Sequence, residues 1–94
     1  MKALVLGMGL QGKAVVHDLE QSAIVGEIVV ADIDAESANA YIGRKGYRKV
    51  QAVALDAERP EGVAELVREI RPQVLICMLP PDFQPAVARA AVRA

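Results

Sequence analysis

A glycine turn set between an apolar run and a helical one constrains this chain more than any other feature. Lys2-Ala3-Leu4-Val5-Leu6 is a short apolar segment suited to a buried strand, and Gly7-Met8-Gly9-Leu10-Gln11-Gly12 follows it directly. Lys13-Ala14-Val15-Val16-His17-Asp18-Leu19 then has helical spacing. A second apolar run, Ile28-Val29-Val30-Ala31, ends at Asp32, twenty residues beyond Gly12. Strand, glycine turn, helix, strand and acid, in that order, mark a dinucleotide-binding half-domain. Glycine triplets alone occur in many loops. The flanking elements and the distance to the acid make this one specific.

Each glycine has a physical role in that reading. Gly7 lets the chain turn sharply out of the first strand, in backbone space closed to a residue with a Cβ. Gly9 lets the backbone approach a pyrophosphate, and Gly12 lets the helix pack closely on the strands. The helix starts near Leu10, so the free N–H groups around Leu10 and Gln11 and the positive end of its dipole face the phosphates. Lys13 either adds charge there or is simply solvated. The competing reading is a tight turn in an α/β domain that binds nothing.

Ninety-four residues make one domain at most, and a chain of this size hides only about 60–65% of its unfolded surface. The composition is 53% hydrophobic but 3% aromatic, which suits a parallel sheet of branched aliphatics buried under helices. A net charge of −1 lacks the basic stripe of a nucleic-acid binder. No apolar run approaches the ~20 residues of a membrane span, and the N-terminus enters the first strand without a signal peptide. The single cysteine, Cys77, lies inside Val74-Leu75-Ile76-Cys77-Met78-Leu79 and reads as a small core residue. A cytoplasmic domain is expected, with no membrane or nucleic-acid partner.

The first strand is expected over Lys2 to Leu6 and the first helix from Leu10 to Ser22, with Ala14, Val15 and Leu19 facing inward. His17 lies beside that face, in a solvated or capping role. Glu27 to Ala31 reads as the second strand. Asp34 or Ala35 begins the second helix, with Ala38, Tyr41 and Ile42 on one face and Gly43 as its stop. Arg44, Lys45, Arg48 and Lys49 form a basic cluster, either a solvated rim or a site for an adenosine phosphate. The third strand is expected over Val50 to Leu55. A helix then starts at Pro60, carries Val63, Leu66, Val67 and Ile70 inward, and ends at Arg71-Pro72. The fourth strand runs from Val74 to Leu79, and a last helix follows from Asp82, with Phe83 and Val87 inward.

Alternating strands and helices of this kind give an α/β doubly wound parallel sheet of Rossmann type, in the order 3-2-1-4 with helices on both faces. A full dinucleotide fold has about six strands. Residues 1–94 therefore read as a single dinucleotide-binding domain in which the second half is only begun.

Gly7-Met8-Gly9-Leu10-Gln11-Gly12, Val30-Ala31-Asp32-Ile33-Asp34, Ala54-Leu55-Asp56-Ala57 and Val74-Leu75-Ile76-Cys77-Met78-Leu79-Pro80-Pro81 together resemble the N-terminal part of the saccharopine dehydrogenase-like oxidoreductases, which include the lysine dehydrogenases. The resemblance spans essentially the whole chain. It implies a nicotinamide cofactor and oxidation of an amino-acid C–N bond, with the substrate-binding and catalytic groups mostly beyond the matched region. It implies that Gly7, Gly9, Leu10, Gln11 and Gly12 face the pyrophosphate and that Asp32 and Ile33 face the adenosine. It sets Asp56 and Ala57 near the adenine, and Leu79 and Pro80 along the path to the nicotinamide. Asp56 has an equal alternative as a turn cap before Pro60. Pro80 and Pro81 have theirs in ending the strand.

The expectation is therefore the coenzyme-binding portion of a dehydrogenase, binding but not catalytic alone. NAD is expected over NADP, because the Asp32 carboxylate would oppose a 2′-phosphate. A nucleotide-sensing module, like the gating domains of potassium transport systems, and a ligand-free structural domain are the alternatives. The fourth strand, with no neighbour beyond it, is expected to pair with a second copy of the chain.

Overall fold

Four consecutive residues of the first strand, Ala3 to Leu6, have no exposed surface in the computed structural model, which describes residues 1–56 and 59–78. A strand shows alternate residues to opposite faces, so β1 (Lys2–Leu6) needs cover on both sides. Two hydrophobic clusters supply it. Ala3 and Val5 pack with Ile28 and Val30 of β2 (Glu27–Asp32), Val16 of α1 (Leu10–Gln21), and Ala38 and Ile42 of α2 (Ala35–Lys45). Leu4 and Leu6 pack with Val29, Ala31 and Val63, against Leu66, Val67 and Ile70 of α3 (Pro60–Ile70).

The sheet has the order β3-β2-β1-β4, with β3 at Val50–Ala54 and β4 at Val74–Cys77, and every pairing is parallel. This is the α/β arrangement read from the sequence. Parallel strands require crossovers, and the helices that make them bury both faces of the sheet.

Several details differ from expectation. The inward face of α1 is Gly12, Val15, Val16 and Leu19, while Ala14 is exposed. At 3.6 residues per turn, Ala14 points away from both Gly12 and Val16. Gly43 does not stop α2. The helix continues to Lys45, and Gly46 ends it at φ 69°, a left-handed position that glycine tolerates. β2 extends one residue further, through Asp32, whereas β3 ends at Ala54 and β4 at Cys77. Leu79, Pro80 and the helix expected from Asp82 lie outside the described residues, as does Ala57.

At the amino ends of the strands, cations sit on helix C-termini. Lys2 Nζ donates to the Ile70 carbonyl at 2.9 Å, and Lys49 Nζ donates to the Ser22 carbonyl at 2.8 Å. Both meet carbonyls left without an intrahelical partner. No helix among the described residues is long and apolar enough to cross a membrane.

Candidate coenzyme site at the carboxyl edge of the sheet

In open parallel sheets, ligands bind outside the carboxyl ends of the strands, where the winding reverses. Here that point lies between β1 and β4, and the glycine turn rises from β1. Gly7 has φ 91°, and its N–H still donates to the Ala31 carbonyl at 2.8 Å. The chain thus leaves the sheet at once, through a conformation that a side chain would strain. Gly12 is required for a different reason: a Cβ there would collide with the Gly7 carbonyl oxygen. Gly9 is required for neither. Its φ is −59°, and a Cβ would meet nothing within 4 Å. The fold does not need glycine at that position, so the space beside it is available to a ligand.

Gly9 is also the N-cap of α1, and its carbonyl accepts from Lys13 N–H at 2.9 Å. No side chain caps this N-terminus, and its first turn holds no acid. The other two helices among the described residues carry Glu36 and Glu61 in their first turns, and Asp34 caps α2 through Ser37 N–H at 3.1 Å. The positive end of α1 is therefore left for an external anion. The exposed side chain of Leu10 stands at this turn, and exposed Ile33 follows Asp32.

Asp32 is half-buried and heavily engaged. Oδ2 accepts from Met8 N–H at 2.8 Å, Oδ1 accepts from Asp34 N–H at 3.0 Å, and its main-chain carbonyl accepts from Leu55 N–H at 2.9 Å. One residue thus joins the glycine turn, the β2–α2 turn and the end of β3. Each carboxylate oxygen keeps further acceptor capacity for a ribose hydroxyl.

A cleft of about 210 Å³ opens beside Asp32, between α1 and α2, and Lys13, Asp34, Ser37, Tyr41 and Arg44 line it. Lys13 is half-buried, with its ammonium 4.7 Å from the centre of the Tyr41 ring. Ser37 and the exposed face of Tyr41 were not singled out from sequence. Ser37 could have been, since it stands three residues after the Asp34 cap. The basic cluster divides: Arg44 lines the cleft, while Lys45 lies 5.8 Å from the Tyr41 ring. The Arg48 and Lys49 amides are held by Glu20, at 3.0 and 3.2 Å.

The hydrogen bond to Ser37 N–H holds the Asp34 carboxyl below its ordinary value. Burial, helped by Tyr41, pushes the Tyr47 hydroxyl up. His17 is exposed, and its Nδ1 lies 3.0 Å from that hydroxyl. Asp56 lines a separate cleft with Arg59, Glu65 and Glu69, and its carbonyl accepts from Arg59 N–H at 3.0 Å. Cys77 is half-buried with a free thiol, and no described cluster of His, Cys, Asp or Glu could hold a metal.

A family model described as "Saccharopine dehydrogenase NADP binding domain" matches residues 3–94. Among solved structures, apo histidine-tagged saccharopine dehydrogenase (L-Glu forming) from Saccharomyces cerevisiae matches 98% of this chain, with a TM-score of 0.80 and 24% identity. The chain spans 19% of that protein's length, and at this identity the likeness is one of fold. The family description names NADP, against the preference for NAD drawn from Asp32. The geometry gives a reason why the aspartate need not exclude NADP: both of its oxygens already face backbone N–H donors.

Proposed function

The chain belongs to the saccharopine dehydrogenase NADP-binding domain family, and from that premise we propose that it holds a nicotinamide dinucleotide along the carboxyl edge of its sheet. The observation that carries this reading is Gly9, a glycine with ordinary φ and open space beside it at an uncapped helix N-terminus. The backbone of Gly7, Gly9, Leu10, Gln11 and Gly12 would meet the pyrophosphate. Asp32 and Ile33 would meet the adenosine, with Asp56 near the adenine.

When bound, such a coenzyme supplies a hydride acceptor or donor. The part of this chain is to bind and orient it. We assign no residue here to the hydride step and place substrate recognition on groups outside this domain. The single unpaired cysteine accords with a reducing, cytoplasmic setting.

Calorimetric titration with NADH and NADPH tests the reading. One saturable site, lost in Gly9→Val, is expected. No binding of either coenzyme to folded protein overturns it in favour of a ligand-free α/β domain. A sensing role instead predicts binding that alters association with a partner.

A further inference from the structure

Resting on that reading, we infer that the groove between α1 and α2 takes the 2′-phosphate of NADP between Lys13 and Arg44, which makes these two residues the determinants of coenzyme choice. Three observations converge. The groove opens on Asp32, the residue placed at the adenosine ribose, so a group on the 2′-oxygen would enter it. Lys13 comes from α1 and Arg44 from α2, and among the described residues neither is in an ion pair with a carboxylate. Ser37, Tyr41 and Arg44 follow each other at spacings of four and three, along one face of α2. Helical side chains lean toward the N-terminus of their helix, which carries the long Arg44 side chain toward Ser37 and Asp32.

The Tyr41 ring has a part in this arrangement. It holds the Lys13 ammonium at 4.7 Å, against the groove rather than out in solvent. Ser37 lines the same helix face, its hydroxyl bonded to the Asp34 carboxylate. A phosphate monoester carries close to two negative charges at neutral pH, and the groove offers two cations.

Asp32 and Asp34 are the opposing charges, and both are already engaged. The Asp32 oxygens accept from Met8 and Asp34, and Asp34 accepts from Ser37. Asp34 is also fully exposed, so water and salt screen it. An acid at the end of the second strand and a phosphate beside it are therefore compatible here.

The test measures dissociation constants for NADPH and NADH on the whole chain and on Lys13→Gln, Arg44→Gln, the double variant, Arg44→Lys and Arg48→Gln. Arg48→Gln removes one charge outside the groove and serves as the control. Wild type is expected to prefer NADPH. Each groove substitution should weaken NADPH by about tenfold and leave NADH within about twofold, with Arg44→Lys retaining most of the preference. Adenosine 2′-monophosphate should compete with NADPH better than adenosine 5′-monophosphate does. If both coenzymes bind and the double variant keeps the wild-type ratio, the groove assignment is overturned while dinucleotide binding stands. A wild-type preference for NADH also overturns it. Binding of neither coenzyme overturns both readings.

Discussion

Asn39 on α2 and Ala52 on β3 exchange two hydrogen bonds: Asn39 Nδ2 donates to the Ala52 carbonyl, and Ala52 N–H donates to Asn39 Oδ1, both at 3.1 Å. Among the described residues β3 is an outer strand, and the Lys49 carbonyl and Leu55 N–H that flank it both face β2. Strand residues alternate, so Ala52 turns its peptide groups outward. The Asn39 amide meets them as a neighbouring strand would, and closes that part of the edge against another chain. Replacing Asn39 with Ala should cost about 0.5–1.5 kcal/mol and speed exchange of the Ala52 amide. Unchanged exchange would show that the side chain does not guard the edge.

Asp32 should prove structural as well as ligand-facing. Asp32→Ala removes the acceptor of the partly buried Met8 N–H, at a cost of about 1–3 kcal/mol, and frees the glycine turn from β2. Urea unfolding should show the loss of stability, and calorimetry should show weakened binding of both coenzymes. A variant of wild-type stability that merely switches coenzyme preference would contradict this.

Gly9 and Gly12 should behave oppositely. A Cβ at Gly9 meets nothing within 4 Å, so thermal unfolding of Gly9→Val should be close to wild type while dinucleotide affinity falls sharply. Gly12→Ala must displace the Gly7 carbonyl and should lose on the order of 1–3 kcal/mol of stability. Equal stability losses in the two variants would refute the division of roles.

The Asp34 cap gives a pH dependence of known sign. Its carboxyl titrates below the ordinary 3.8 in the folded chain, so its contribution is complete above that value. The contribution is lost as pH falls through the depressed folded value. Wild type should therefore exceed Asp34→Ala in urea midpoint at neutral pH, and the gap should close on acidification below about pH 4. A gap that stays constant to low pH would count against the cap.

β4 pairs with β1 on one side, and among the described residues no strand lies on its other side. Pairing with a second copy across a two-fold axis would continue the sheet and close without forming fibres. Sedimentation at tens of micromolar should show a dimer. A monomer with protected β4 amides would exclude this pairing.

The element order and the 3-2-1-4 sheet were legible in the sequence, because they rest on local signals. Buried parallel strands are continuous aliphatic runs such as Leu4-Val5-Leu6 and Val29-Val30-Ala31, helices repeat every three to four residues, and crossover rules order the strands. Gly7, Gly12 and Asp32 could be marked for the same reason, since their spacing is a local pattern. What Asp32 does with its carboxylate was decided by the tertiary structure, because its partner Met8 lies 24 residues away. The same holds for the pairing of Asn39 with Ala52, and for the division of a basic cluster that sends Arg44 into a groove with Lys13. Gly43 and Gly46 look alike as helix stops in the sequence, and only the backbone path shows which one takes positive φ. Such contacts leave no periodic trace along the chain. They arise where packed elements bring distant polar groups together, and a polar group withdrawn from water must find a partner in the fold.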